Sequence, residues 1–116
     1  YEELGGFDET FFMYCEDVDL SWRARAQGFM LRTCPLALFL HEVSNRQQDT
    51  GVVRMIYTSG VILARRWGDE KFEATFTNKL RELGFPPPED EVVSVPEEWK
   101  RHADFDNQFS FSEVRW

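Results

Sequence analysis

Gly5-Gly6-Phe7-Asp8-Glu9-Thr10-Phe11-Phe12-Met13-Tyr14-Cys15-Glu16-Asp17-Val18-Asp19-Leu20-Ser21-Trp22-Arg23-Ala24-Arg25-Ala26-Gln27-Gly28 is the stretch on which the reading of the fold turns. Adjacent glycines tolerate positive φ and let backbone approach backbone or ligand without a Cβ in the way. The aromatic run Phe7, Phe11, Phe12 and Tyr14 that follows is apolar enough to be pinned in a core. From Asp17 onward, Val18, Trp22 and Ala26 fall at i, i+4 and i+8, with Leu20 and Ala24 adjoining, which is helical spacing. Asp17 and Asp19 suit the first turn, Arg23 and Arg25 the later ones, and Gly28 the residue just past the end. Glu16 and Asp17 thus stand where an apolar wall gives way to a helix start, a place the helix dipole favours for carboxylates.

Working outward, Phe29–Cys34 and Leu36–His41 read as extended segments about Pro35, which cannot donate to a ladder and belongs at an edge, bend or strand start. Ser44 to Gly51 is polar and aperiodic, a loop. Val52 to Trp67 returns to helical spacing, and its interior Gly60 points to close packing at that level. Gly68 ends that helix, Asp69 caps the next, and Phe72, Phe76, Leu80 and Leu83 form a second stripe ended by Gly84, giving an αα-hairpin. Phe85-Pro86-Pro87-Pro88 is a stiff spacer. Val92–Val95 reads as a short strand, Pro96–Arg101 as a short helix, and Asp104–Trp116 as an irregular aromatic tail.

The pattern Gly-Gly-Phe-Asp-Glu-x-Phe-Phe-x-Tyr-x-Glu-Asp-x-Asp-Leu-x-x-Arg, followed by Gly28, Pro35, Ala37 and His41, resembles the C-terminal part of the catalytic domain of family 2 glycosyltransferases of GT-A type. The likeness covers roughly the first 45 residues. It implies an α/β fold: a truncated C-terminal portion of a GT-A, Rossmann-like domain over 1–45, an appended helical hairpin over 46–84, and a Pro-rich linker with an aromatic tail over 85–116. Such a domain is longer than this chain, so the resemblance implies a piece whose nucleotide-binding half would precede Tyr1 and which is inactive in isolation. An exposed sheet edge in such a piece is expected to be covered by self-association, through that edge or an aromatic surface.

At 116 residues, with 42% hydrophobic and 16% aromatic content, the chain can build one small core. A net charge of −8 argues against nucleic acid or an anionic membrane surface as partner, since both need a basic footprint. No run in the sequence has the length and apolarity of a membrane span; a membrane partner for the whole protein is left open, and the resemblance implies the cytoplasm or the cytoplasmic face of a membrane. Cys15 and Cys34 lack metal-ligand spacing, and buried free thiols are the favoured reading over a disulfide.

Glycosyl transfer from a nucleotide-sugar needs a base for the acceptor hydroxyl, stabilisation of the departing diphosphate, and tolerance of positive charge at the anomeric carbon. By the resemblance, Asp17 is the base of an inverting enzyme and Glu16 its neighbour at the acceptor. Spacing alone favours the plainer reading, in which both merely charge a helix start; the surrounding motif reverses that balance. Gly6, Asp8 and Glu9 are placed beside donor sugar and acceptor, against the alternative of a solvated turn. Arg23 is a substrate-side candidate, with pairing to an acid of its own helix the favoured reading. His41 is a candidate metal contact, weighed evenly against a structural histidine. Asp17-Val18-Asp19 spells Asp-x-Asp but is not expected to chelate, because residues i and i+2 of a helix face different ways. A divalent cation, Mn²⁺ or Mg²⁺, is implied with its main ligands outside this chain, together with a nucleotide-sugar donor and a glycan, lipid-linked or polysaccharide acceptor. The rival readings are a non-catalytic interaction module and a carbohydrate-binding module stacking sugars on Trp99, Phe109, Phe111 and Trp116.

Overall fold

The two long amphipathic patterns close on each other as an antiparallel pair. In the computed structural model, which describes residues 1–38, 40 and 49–108, α2 spans Thr50–Trp67 and α3 spans Glu70–Glu82. The turn between them works as its residues dictate: Gly68 takes φ +75° and donates its N–H to Ala64, while the Asp69 carboxylate accepts from Phe72 N–H at 2.9 Å. α2 starts two residues earlier than its apolar periodicity suggests. Asp49 caps it, accepting from Gly51 N–H at 2.8 Å; residues 44–48 of the expected loop lie outside the described residues.

α1 spans Glu16–Ala26, with acids in its first turn and Arg23 and Arg25 in its last. It packs across the hairpin through Trp22, whose ring meets Trp67 edge-on at 5.3 Å and Phe105 at 4.8 Å. Phe105 belongs to the one-turn α4, Phe105–Gln108, and stacks on Phe72 at 5.1 Å. Phe72 and Tyr57 both lie against Phe76. An aromatic spine therefore runs from α1 through α4 into α3, with Val61, Leu63, Ala64 and Leu80 filling the space between the two long helices. A 3₁₀ turn over Glu97–His102, with Pro96 ahead of it, stands where the short helix was expected.

The expected α/β architecture is not what forms. The described residues contain helices and turns, and no strand or sheet, so the chain is not a truncated Rossmann-like layer. In 29–38 the backbone bonds are local: Phe29 N–H to Ala24 C=O closes α1, and Ala37 N–H to Cys34 C=O makes a turn at Pro35. A strand exists only where a neighbour completes its ladder, and among the described residues no second extended segment lies beside this one. Its apolar side chains stand outward, with Met30 73%, Leu36 90% and Leu38 89% exposed. Val92–Val95 is likewise no strand; its anchor is Val95 N–H, which donates to Arg66 C=O at 3.0 Å. With no sheet there is no sheet edge among the described residues to be covered by self-association. Nor is any of their helices long and apolar enough to cross a membrane.

The closest approach of the hairpin occurs at Gly60, where a Cβ would meet the Phe76 ring at 2.9 Å. That ring is held by Phe72 and Tyr57 and has little room to give. For Gly60→Ala, overpacking of about 1–3 kcal/mol opposes roughly 1 kcal/mol gained in helix propensity. The expected outcome is a lower urea midpoint at unchanged m-value; a raised midpoint would contradict the packing described.

Candidate active site

The chain enters α1 under strain. Tyr14 and Cys15 both have positive φ, +69° and +67°, although neither is glycine. Such residues persist only where their surroundings over-determine them. Here the Ser59 hydroxyl donates to Met13 C=O at 2.6 Å, Cys15 is buried in the core, and Asp19 N–H donates to Cys15 C=O at 2.9 Å. Cys15 gives no side-chain cap, and three acids, Glu16, Asp17 and Asp19, stand in the first turn, where the helix dipole favours them.

Those acids face three ways. Asp17 is exposed, its Oδ1 accepting from Val18 N–H at 2.9 Å. Glu16 is half-buried, and its Oε2 is buried with no hydrogen-bond partner among the described residues. Both border a cavity of about 170 Å³ that Tyr14, Cys15, Val18, Ile56 and Gln108 also line. Asp19 is fully buried. Its Oδ2 accepts from Arg23 Nε at 2.7 Å, and its Oδ1 from Arg66 Nε at 2.8 Å and Trp67 Nε1 at 3.0 Å. Asp17 and Asp19 thus lie in different environments and do not form a chelating pair.

The remaining candidates gather around Asp19. Besides Asp19, the Arg23 guanidinium donates to Leu4 C=O and, at 2.7 Å, to Gly6 C=O, so all its nitrogens are engaged inside the chain. Gly6 stands at φ +71°, a conformation side-chain residues rarely adopt, with the Tyr1 ring close against it. Asp8 pairs with Arg66 Nη2 at 2.9 Å and accepts from Thr10 N–H at 2.9 Å. Partial burial pushes the Asp8 carboxyl upward, but hydrogen bonds from Thr10 and the charges of Arg66 and Arg23 together hold it below its ordinary value. Glu9 is exposed. The structure therefore brings Gly6, Asp8 and Arg23 into one network and sets Glu16 and Asp17 beside a separate cavity.

His41 lies outside the described residues. Among the described residues no group of three His, Cys, Asp or Glu side chains is placed to hold a metal ion. Trp99 packs half-buried against the core; Phe109, Phe111 and Trp116 lie outside the described residues. The larger cavities sit elsewhere: one of about 480 Å³ between 10–13 and α2, and one of about 330 Å³ near Gly68 and Lys100.

Sequence reasoning missed Asp19, Arg66 and Trp67 as a unit. Arg65-Arg66 reads as an exposed helix end, yet Arg65 reaches Glu73 and Pro88 C=O, and Arg66 has only 13% of its side chain exposed. The available signal was Asp19 at i−3 and i−4 from Trp22 and Arg23, which places a carboxylate on the apolar face.

A stretch of 41 residues is 46% identical to N-acetylglucosaminyl-diphospho-decaprenol L-rhamnosyltransferase in each of two strains of Mycobacterium tuberculosis, covering 35% of this chain and 13% of the relative. The match is thus to a small part of that protein's length, and it is a likeness to a glycosyltransferase. No family model matches the sequence, and no solved structure matches it.

Two outcomes follow from the burial of Asp19 and Cys15. Asp19→Ala removes the buried carboxylate shared by Arg23, Arg66 and Trp67, and its expected cost of about 3–5 kcal/mol is measurable by urea unfolding of the variant beside wild type. Burial, followed by the nearby Asp17, Glu16 and Asp19 carboxylates, pushes the Cys15 thiol up to about 12. It therefore stays protonated through pH 7–9, and an aromatic disulfide reagent applied to native protein at pH 8 is expected to titrate exposed Cys34 alone. Denaturant should release the second thiol.

Proposed function

We propose that this chain forms part of a family 2 glycosyltransferase that moves a sugar from a nucleotide-sugar donor to a glycan, lipid-linked or polysaccharide acceptor, with Asp17 as general base. The partial match to a rhamnosyltransferase carries this reading. The placement of Asp17 supports it, since an exposed carboxylate on a helix start beside a cavity is open to an incoming hydroxyl.

In the proposed step the acceptor hydroxyl hydrogen-bonds to the Asp17 carboxylate. Its oxygen attacks the anomeric carbon as Asp17 takes the proton, and the bond from that carbon to the diphosphate oxygen breaks. One displacement inverts the anomeric configuration, and the electron pair leaves on the nucleotide diphosphate. Glu16, half-buried on the same cavity, is the neighbouring acid of the proposed acceptor side. The described residues do not fit a divalent cation; Mn²⁺ or Mg²⁺, the diphosphate and the nucleotide would be held by ligands beyond them.

The test is transfer from a radiolabelled nucleotide-sugar by the whole protein that contains this chain. Asp17→Asn keeps shape and removes basicity, and a fall in kcat of about 10²–10⁴-fold is expected, with the far-ultraviolet spectrum unchanged. A variant that transfers at the wild-type rate eliminates Asp17 as the base.

A further inference from the structure

Arg66 lies outside the motif region and yet bonds to two of its acids, Asp8 and Asp19. Its Nε donates to Asp19 of α1 at 2.8 Å and its Nη2 to Asp8 at 2.9 Å. Its Nη1 donates to Val93 C=O at 3.2 Å, and its own C=O accepts from Val95 N–H. One planar guanidinium thus joins the helix bearing Asp17, the loop bearing Asp8 and the C-terminal segment. We propose that Arg66 is a positioning residue for glycosyl transfer: it fixes the Gly5–Glu9 loop against α1, and so sets the acceptor side of the site relative to Asp17.

This inference rests on the proposed transferase reading for its functional half. The chemistry argues for arginine specifically. Asp19 alone could be satisfied by a single donor, but two carboxylates on different segments and a carbonyl need a rigid fork, which lysine's single ammonium cannot reproduce. Asp8 has no other cation bonded to it among the described residues, so its loop is held to α2 through this contact. Arg23 restrains the same loop further back, at Leu4 and Gly6, from within α1. Arg66 supplies the restraint from the hairpin. Without it, the loop keeps its tie to α1 while losing its tie to the body of the protein.

Arg66→Lys tests this, with Arg65→Lys as the control, since Arg65 lies on the same helix but bonds to Glu73 and Pro88 instead. In the whole protein, Arg66→Lys is expected to raise the acceptor KM about tenfold, the size of one weakened charge-assisted contact, while the donor KM and the effect of Asp17→Asn persist. Amide hydrogen exchange, which needs no turnover, is expected to speed up in 5–13 and not in α3. Rates and exchange that match those of Arg65→Lys would overturn the proposal. The two readings fail separately: a wild-type rate in Asp17→Asn removes the base, whereas unchanged exchange at 5–13 in Arg66→Lys removes the positioning role whatever the reaction.

Discussion

A single buried carboxylate organises this chain. Asp19 has no exposed surface, and an ionised group there is tolerated only if every lone pair is matched and the charge is balanced. Arg23, Arg66 and Trp67 supply the donors, one from its own helix and two from the far end of α2. The two arginines would leave excess positive charge, and Asp8 brings the cluster to two acids against two bases. Neutrality gives Asp8 a reason to sit where it does, and against the upward push of burial the Thr10 hydrogen bonds and these charges together hold its carboxyl low. The ends of the motif, far apart along the chain, are therefore tied to one electrostatic centre.

That centre also reconciles the strain before α1 with its persistence. Two consecutive left-handed residues without glycine cost of order 1–3 kcal/mol each. They turn the chain so that Cys15 enters the core and α1 begins with Glu16 and Asp17 beside a cavity. The Ser59 bond to Met13 and the Asp19 network fix the segment on either side of the bend, while Trp22 seats the helix on the aromatic spine. The strain thus sits directly before the helix start that carries Glu16 and Asp17.

The helices were legible because their signals are local. Gly68, Asp69 and Gly84 punctuate α2 and α3 with residues whose backbone chemistry leaves few alternatives, and Gly60 announced the close approach to Phe76. The extended segments were not, since the apolar runs on either side of Pro35 record a capacity to pair and say nothing of whether a partner is present. The Asp19 network was hidden for a related reason. Its bonds span 47 and 48 residues, and nothing in the letters of Arg65-Arg66 tells which arginine turns inward. Cys34 shows the same limit: its chemistry suits a core, but no core lies near it.

Helical geometry then explains why neighbouring acids diverge in role. Successive residues turn by about 100° around the axis, so Asp17 and Asp19 look nearly opposite ways and cannot share an environment. The inward position is occupied by a carboxylate whose donors are all internal, which makes it a fixed part of the scaffold. The outward position keeps its carboxylate exposed, and among the described residues neither Asp17 nor Glu16 forms an ion pair. The buried carboxylate is closed in by Arg23, Arg66 and Trp67, whereas the outward one is open to solvent. The division of labour along Glu16-Asp17-Val18-Asp19 is thus imposed by the helix itself: the same turn that buries one acid to hold the segment in place delivers the other to solvent, where chemistry can reach it.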